Sequence, residues 1–322
     1  MSEYQYYEFR AIDRPLTEAQ KSKISALSSR AHVTSHIASF VYNYGDFRGN
    51  PEQLMRDYFD AMVYVTNWGS RRSMFRIPLS LIDTKKVELY CVSDEINAIA
   101  TKEGVVLDIN FHDEELAEWT EGEGWLDELV ELRAELIQGD FRVLYLAWLK
   151  AAENALGLEE IDKDIMEPPV PPGLNQLSAA LKTFIRFLGI DETMLVVAAR
   201  KSEEQKEKLR QLEEWAEKLP LEEQHNFLKR LSLGEPGLSV LLNRRLHELA
   251  NKTPFLEEGA DSGQRTIGEL IQASEEWRRR KQEDKRHKEE LARKRRLEEL
   301  AVKENEVWQQ VEALIEEKKP KS

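Results

Sequence analysis

The spacing of hydrophobic residues changes partway along the 322-residue chain. In residues 4–12, Tyr7, Phe9 and Ala11 alternate with more polar neighbours, and residues 105–111 repeat this alternation. A period of two residues is typical of a half-buried β-strand. From about residue 125 the apolar residues recur every three or four positions, which is the period of an amphipathic helix. The pattern therefore predicts a sheet-containing first part followed by helices.

Residues 1–112 are predicted to form an α+β domain on a mostly antiparallel sheet with ferredoxin-like character. Short helices are predicted from Thr17 to about Ser29 and from Pro51 to about Asp60. Asn50 has the form of an N-cap, since proline follows it at the first helical position. The predicted strands cover residues 4–12, 31–44, 62–66, 73–77, 87–92, 96–101 and 105–111.

Residues 125–250 are predicted to form a helical domain. A proline-rich stretch at residues 167–173 interrupts it, and this stretch is expected to act as an extended spacer because consecutive prolines exclude a helix. Residues 251–264 contain Pro254 and two glycines and are expected to form a loop. The predicted helices cover residues 125–136, 141–152, 174–188, 192–218, 221–232 and 237–250.

A long charged helix is predicted over residues 265–318. Its acidic residues precede basic ones by four positions, the orientation in which a pair stabilises a helix by about 0.2–0.5 kcal/mol. About 50 residues at ~1.5 Å each make a helix of roughly 75 Å, which predicts a projecting or bridging arm. The pairs are Glu275 with Arg279, Glu276 with Arg280, Asp284 with Lys288, Glu289 with Arg293, and Glu290 with Lys294.

Heptad spacing appears near the end of this helix. Leu297, Leu300, Val307, Val311 and Leu314 recur at alternating intervals of three and four residues, with a glutamate at position 304 in the same seam. The run is shorter than three heptads, whereas a coiled coil usually needs three to four. Val307, Val311 and Leu314 are the candidate residues for binding a partner helix.

The charge of the chain is concentrated in one segment. The formal net charge is −14, and residues 101–172 carry 5 basic against 19 acidic side chains, which accounts for all of it. Residues 113–124 are predicted to be an acidic connector. A loop that binds a divalent metal is the alternative, but the spacing of an EF-hand is absent. A net negative charge disfavours indiscriminate binding to nucleic acid or to an anionic membrane.

No standard catalytic or cofactor motif is found in the sequence, so no catalytic, cofactor-binding or metal-binding residue is assigned. Cys91 is the single cysteine, and we expect it to be a small buried residue in the strand at 87–92. One cysteine cannot form an internal disulfide, which favours a reducing compartment. No apolar segment reaches the length of a membrane span. A cytoplasmic protein without cofactor and without membrane contact is expected.

Aromatic residues and arginines cluster between residues 40 and 76. Tyr42, Tyr44 and Phe47 precede Arg48, and Trp68 precedes Gly69 and the pair Arg71 and Arg72. Such a set can stack bases and hold phosphates in single-stranded nucleic acid. The alternative is that the aromatics fill the core and the glycines serve turns. The predicted sheet is similar to the RNA-recognition fold, but the aromatic strand motif of that family is not found. The candidate binding residues are Tyr42, Tyr44, Phe47, Trp68, Arg71 and Arg72.

Several local sequences resemble a family of uncharacterised bacterial cytoplasmic proteins. They are the opening YQYYEFRAIDRPLT at residues 4–17, GEGW at 122–125, PPVPPG at 168–173 and RTIGEL at 265–270. The resemblance spans most of the chain. It implies no activity, cofactor or catalytic residue.

Three functions follow from these features. A non-enzymatic protein-interaction or regulatory adaptor protein, with an unidentified protein partner, fits the long helix best. A single-stranded RNA-binding protein using the aromatic and arginine residues is the first alternative. An enzyme of unfamiliar type, with its site where the sheet meets the helices, is the second.

Overall fold

A computed structural model describes residues 3–91, 93–102, 104–117, 121–156, 164–202, 215–233, 238–249 and 265–317. The strands are β1 (Gln5–Arg10), β2 (Ala31–Val33), β3 (Ile37–Tyr42), β4 (Ala61–Thr66), β5 (Ser70–Pro78), β6 (Ile96–Ala100) and β7 (Gly104–His112). The helices are α1 (Glu18–Ser25), α2 (Pro51–Asp57), α3 (Thr84–Glu88), α4 (Trp125–Leu129), α5 (Glu131–Ile137), α6 (Arg142–Leu156), α7 (Ala179–Leu188), α8 (Glu192–Ala199), α9 (Leu221–Ser232), α10 (Leu238–Leu249) and α11 (Ile267–Glu317).

The seven strands form one sheet in the order β2-β3-β1-β4-β5-β7-β6, and every neighbouring pair is antiparallel. The first four strands with α1 and α2 follow the chain order β-α-β-β-α-β. This order, with β1 between β3 and β4, is that of a ferredoxin-like unit. The remaining three strands extend the same sheet beyond β4. The α+β class and its ferredoxin-like character are therefore confirmed.

The first face of the sheet is packed against α1 and α2. Phe9, Phe40 and Met62 lie on this face and are fully buried. Ile24 of α1 and Leu54 of α2 belong to the same hydrophobic cluster. Both helices begin where the sequence caps them: Thr17 forms a capping box with Gln20, and Asn50 accepts from the backbone N–H of Gln53 before Pro51.

The second face of the sheet is covered by the helices that follow β7. α4 contacts β4, and α5 contacts β5. The strand residues Val63, Phe75 and Leu107 on this face are buried, as are Leu126 and Leu132 of the two helices. Both faces of the central strands β1, β4, β5 and β7 are thus largely buried, whereas the edge strands β2 and β6 stay partly exposed. The central strands are accordingly apolar on both sides along much of their length.

The proline-rich segment is held on the body by its carbonyl oxygens. The hydroxyl of Tyr90 donates to the carbonyl of Pro169 at 2.8 Å, and the hydroxyl of Ser202 donates to the carbonyl of Pro171 at 2.8 Å. The guanidinium of Arg142 donates to the carbonyl of Gly173 at 3.0 Å. Residues 167–171 form neither helix nor strand, a turn follows at residues 172–175, and α7 begins only at Ala179, after the N-cap Ser178.

A buried ion pair joins the residue before the prolines to the start of the last helix. The guanidinium of Arg265 binds both carboxylate oxygens of Glu167 at 2.6 and 2.8 Å, and the hydroxyl of Tyr145 donates to the same carboxylate at 2.5 Å. A short antiparallel bridge between Met166 and Thr266 accompanies them. Because the Glu167 side chain is fully buried, the pair is required to offset the cost of burying its charge.

Asp60 is the main polar junction of the sheet domain. Its buried carboxylate accepts the backbone N–H groups of Ile12 and Asp13 at 2.7 and 2.9 Å and binds the guanidinium of Arg76 at 2.6 Å. Arg133 of α5 lies 3.8 Å away. Burial raises the pKa of Asp60, but the N–H donors and Arg76 outweigh it, so the pKa lies below its usual value.

By contacts the chain divides into two compact units, Met1–Leu270 and Ile271–Ser322. The second unit is the continuation of α11 beyond its first turn. The long helix is confirmed: α11 has 51 residues and begins and ends within about two residues of the predicted bounds. Of the predicted pairs, Glu276 and Arg280 approach to 3.9 Å, and Lys285 and Glu289 form a further pair at 4.0 Å.

Three predicted elements differ from the structure. The strand expected at residues 87–92 is wrong: α3 begins after Asp83, whose side chain caps it, so Cys91 follows a helix and is half-buried. The strand predicted at 31–44 is two strands, because the hydroxyl of Thr34 accepts the N–H groups of His36 and Ile37 and turns the chain. The helix predicted at 125–136 is divided at Val130 into α4 and α5.

Other predictions end at the limits of the described residues. The loop predicted at 251–264 lies outside them, as does most of the predicted helix 192–218 beyond α8. The acidic connector 113–124 is described except for three positions. Asp113 in it binds the buried Lys150 at 2.5 Å, and Gly122 lies against the ring of Tyr6.

Replacing Asp60 tests the polar junction. We expect Asp60→Asn to lower the free energy of unfolding by about 3 kcal/mol, because Arg76 loses its buried partner. The exposed Asp57, three residues earlier, is the matched control, and Asp57→Asn is expected to change stability by less than about 0.5 kcal/mol. Urea unfolding gives both values.

The pH dependence of these variants has a definite sign. A carboxylate whose folded pKa is lowered stabilises the fold above its unfolded pKa of about 3.9, and this contribution is lost as the pH falls through the folded pKa. The stability gap between the natural chain and Asp60→Asn should therefore shrink as the pH is lowered below about 4. A gap that stays constant would contradict the assignment.

Candidate functional site

Tyr42 and Phe47 lie inside an aromatic cluster on the first face of the sheet. Tyr7 stacks on Phe47 with ring centroids 4.8 Å apart and on Tyr64 at 4.3 Å. Tyr42 meets Tyr7 edge-on at 6.4 Å and is 8% exposed. These contacts are those of a packed core. Tyr42 and Phe47 thus agree with the alternative stated above, in which the aromatic residues fill the core.

Tyr44 and Trp68 occupy two turns at one end of the sheet. The side-chain amide of Gln5 donates to the carbonyl of Gly45 at 3.3 Å, and the N–H of Tyr4 donates to the side-chain carbonyl of Asn67 at 3.0 Å, so both turns flank the start of β1. Tyr44 is 71% exposed, whereas Trp68 is half-buried. Tyr44 is therefore the candidate aromatic that solvent reaches most freely.

Gly69 explains the form of the second turn. Its φ is +95°, and a Cβ at this position would lie 2.0 Å from the carbonyl oxygen of Asp113. The N–H of Asp113 donates to the carbonyl of Gly69 at 3.1 Å. Only glycine allows this approach, so the turn after β4 is shaped by its contact with the segment after β7.

Arg71 points to the second face of the sheet, away from the aromatic cluster. It pairs across the strands with Val65 and Phe111 and is 4% exposed. Its guanidinium donates to the carbonyl oxygens of Thr66, Ser70 and Leu116 at 2.7, 3.0 and 3.2 Å. Burial lowers its pKa. Arg71 thus joins the turn after β4 to the segment after β7.

Arg72 lies on the first face, beside Tyr64, and makes a bidentate ion pair. Its Nε and Nη2 donate to the carboxylate of Asp108 at 2.7 and 2.6 Å, and Nη2 lies 3.4 Å from Glu52. Burial lowers the pKa of Arg72, but the hydrogen bonds and charge of Asp108 outweigh it, so the pKa is raised. The pair neutralises a carboxylate that is only 8% exposed.

The structure therefore divides the six candidate residues. Tyr42, Phe47 and Arg72 share the first face, Arg71 is buried on the second, and Tyr44 and Trp68 lie in the end turns. In these positions the six side chains do not form a single platform on which bases could stack between arginines. Sequence reasoning did not include Tyr7, Tyr64 and Asp108 in the cluster. A charged residue within the apolar strand β7 was a signal for Asp108, because a buried carboxylate needs a partner.

Two tyrosine hydroxyls of this cluster share one acceptor. Tyr7 and Tyr64 both donate to the side-chain oxygen of Gln5, at 3.2 and 3.3 Å. Burial is the main cause that raises the pKa of both tyrosines. They therefore remain neutral donors at physiological pH and hold Gln5 in place.

The apolar seam of α11 is the second candidate surface, and we define it as Leu297, Leu300, Val307, Val311 and Leu314. Their side chains are between 37% and 57% exposed. Trp308 and Ile315, which the sequence interpretation left out, flank the seam and are 60% and 56% exposed. They follow Val307 and Leu314 by one position each, so they widen the apolar stripe on one side.

Within the described ranges, three or more histidine, cysteine, aspartate or glutamate side chains do not come together in a way that would hold a metal ion. Cys91 is half-buried, and burial raises the pKa of its thiol to about 11, with Glu88 adding to the shift. Such a thiol is protonated at neutral pH and is a poor nucleophile. In the same part of the chain, no helix combines the length and the apolar character needed to cross a membrane.

Arg72 offers a test of structural against binding roles. We expect Arg72→Ala to lower the free energy of unfolding by about 3 kcal/mol, because Asp108 is left buried without a partner. The exposed Arg48 serves as control, and Arg48→Ala should leave stability within about 0.5 kcal/mol of the natural chain. Thermal or urea unfolding measures both.

A double variant separates the pair from its surroundings. Arg72→Ala combined with Asp108→Ala should cost less than the sum of the two single changes, since neither charge is then left alone. Full additivity, or a single variant as stable as the natural chain, would show that the ion pair contributes nothing.

Comparison of the chain with known proteins gives no match, whether to a family model, to a curated protein or to a solved structure. A function has therefore to be inferred from the contacts, burial and charge of the chain's own residues.

Proposed function

We propose that this protein is a non-enzymatic interaction protein, with a regulatory or adaptor role, that binds a helical partner through the apolar seam of α11. The exposure of that seam carries the proposal. Five apolar side chains at heptad spacing, with Trp308 and Ile315 beside them, follow a stretch of the helix, residues 278–296, that is almost entirely charged or polar. A large apolar stripe exposed to water is typical of a surface that a partner covers.

The spacing of the seam specifies the chemistry of the partner. Residues that alternate at intervals of three and four keep facing a second helix as both wind around each other. A flat surface or a sheet does not require this period. The partner is therefore expected to be a helix with its own apolar heptad seam, from a second copy of this chain or from another protein, in a short coiled-coil contact.

The preceding part of α11 is suited to presenting the seam. From Arg278 to Arg296 the side chains are charged or polar with few exceptions and are exposed. Ion pairs such as Glu276 with Arg280 stabilise a helix by about 0.2–0.5 kcal/mol each. Both members of such a pair belong to the same helix, so the pair needs no other element of the structure. This stretch can remain helical in water, so the seam is preformed and little ordering entropy opposes binding.

Single-stranded RNA binding is the runner-up, and the contacts of the candidate residues give it less support. RNA-recognition domains stack bases on a sheet face that their helices leave open. Here α4 and α5 cover that face. The guanidinium of Arg71 is bound to three carbonyls, and that of Arg72 is bound to Asp108. The nucleic-acid hypothesis predicts an affinity for RNA that falls steeply with salt concentration. Binding of a partner helix through the apolar seam does not require this dependence.

The proposal includes a cytoplasmic location and membership of the bacterial family that the sequence resembles. A chain with one cysteine forms no internal disulfide, which is typical of proteins in reducing compartments. The four local sequences of the resemblance support the family. One of them begins with Arg265 and another follows Glu167 directly, so two of the resembling segments meet at the buried ion pair.

The seam is tested by charge insertion in the full-length protein. We expect Val307→Glu with Leu314→Glu to abolish binding, because two carboxylates would be buried at the helix contact. Gln309→Glu with Ala313→Glu adds the same charge to the same two turns outside the seam and is the matched control. Light scattering after gel filtration reports self-association, and equimolar co-purification reports a different protein.

The result expected is a complex, with a second copy or a distinct chain, that the control retains and the seam variant loses. The proposal is contradicted if the natural chain is a monomer that co-purifies with no equimolar protein, or if seam and control variants behave alike. Nuclease-sensitive absorbance at 260 nm in place of a protein partner would favour the RNA hypothesis.

A further inference from the structure

A cleft of about 1000 Å³ opens at the end of the sheet opposite the Tyr44 and Trp68 turns. Four parts of the chain border it: the segment entering α1, the end of α2, Arg76 of β5, and the turn from β6 to β7. Its charged lining is Arg14, Arg56, Arg76 and Lys102 against one carboxylate, Asp57. Cationic side chains from four different segments thus converge on one concave surface in a chain whose net charge is −14.

We propose that this cleft binds a small molecule carrying a di- or triphosphate group. The volume lies at the upper end of the range for small-molecule sites, about 300–1,000 Å³. Arginine and lysine are the residues that bind phosphate, arginine through its planar fork and lysine as a point charge. The phosphate groups would lie between Arg56 and Lys102.

Arg76 has a different role in the cleft wall. It is bound to Asp60 at 2.6 Å, and that carboxylate is buried, so the pair is part of the fold. Arg76 is therefore a fixed part of the cleft wall and contributes little net charge to a ligand. The attraction has to come from the more exposed cationic side chains of the lining.

Arg56 and Lys102 are able to turn towards a ligand. Arg56 lies 3.9 Å from Glu52, and both side chains are more than 40% exposed, a geometry in which an ion pair contributes little. Lys102 is exposed and has no ion-pair partner within the described residues. A phosphate group with two or more negative charges would hold both side chains more strongly than the present surroundings do.

The start of α1 is not the binding element. The N–H of Thr17 donates to the side-chain oxygen of Gln20 at 2.8 Å, and the N–H of Gln20 donates to the hydroxyl of Thr17 at 3.3 Å. These donors are already satisfied by the capping box. Recognition therefore depends on the cationic side chains, which makes it sensitive to their removal.

The binding partner is identified by its phosphates, which a nucleotide and inorganic pyrophosphate share. Isothermal titration calorimetry of the full-length protein, at 0.15 M salt so that distant charges are screened, uses ATP, pyrophosphate and adenosine as separate probes. We expect one phosphate-bearing probe or both to bind at one site and adenosine to give no signal. Binding of ATP alone would identify a nucleotide, and equal binding of pyrophosphate would identify the phosphate group as sufficient.

A paired set of variants locates the site. Arg56→Gln with Lys102→Gln should weaken binding of the phosphate probe by about tenfold or more, since two charged contacts are lost. Lys85→Gln with Lys182→Gln removes the same charge from exposed positions outside the cleft, and its affinity should stay within about twofold. All four positions are exposed at the surface, so an unchanged melting temperature is expected for both double variants.

The proposal is overturned if neither phosphate probe binds, if adenosine binds as well as ATP, or if the control variant loses as much affinity as the cleft variant. None of these outcomes depends on the seam of α11, so a failure of the phosphate-binding proposal can be distinguished from a failure of the protein-interaction proposal.

Discussion

Both faces of the antiparallel sheet have to be covered, and the rest of the first unit follows from this requirement. The helices α1 and α2 cover the first face, and Phe9, Phe40 and Met62 are buried beneath them. The other face carries Val63, Phe75 and Leu107, which would otherwise lie in water. α4 and α5 supply the missing layer. Covering both faces buries far more apolar surface than one layer would, at about 25 cal/mol for each Å² removed from water.

Burial of the sheet between two layers of helices also determines how charge is handled inside the unit. Asp60, Asp108 and Glu167 are buried carboxylates, and each is bound by an arginine: Arg76 and Arg72 of β5 and Arg265 just before α11. A buried charge without a partner would cost several kcal/mol, so these pairs are conditions for the fold more than sources of stability. They also engage the guanidinium groups of Arg72, Arg76 and Arg265. The arginines that remain at the surface are those able to meet a ligand, as at the cleft beside Arg56.

The candidate site was predictable only in part. Aromatic residues and arginines are adjacent in the sequence between residues 40 and 76, and the structure does bring Tyr42 and Phe47 together. Their neighbours Tyr7 and Tyr64 come from β1 and β4, and only the register of these strands places the two rings side by side. The ring of Tyr7 then stacks on both Tyr64 and Phe47. Arg71 and Arg72, by contrast, are adjacent in the sequence but are separated by the structure. Adjacent positions on a strand point to opposite faces, so two neighbouring arginines cannot serve one platform.

Local pattern and chemistry determined the elements of this protein. Alternation predicted the strands, Asn50 with Pro51 predicted the start of α2, and charge spacing with heptads predicted α11, because each depends on residues a few positions apart. The wrong elements came from local signals that the alternation of residues concealed: the Asp83 cap begins α3 where a strand is predicted, and Thr34 divides the predicted strand 31–44. The tertiary structure alone decided which face α4 covers, which carboxylate each arginine binds and that four cations meet at one cleft. These are contacts between residues up to 120 positions apart, and a hydrophobic pattern carries no information about which distant residues will meet.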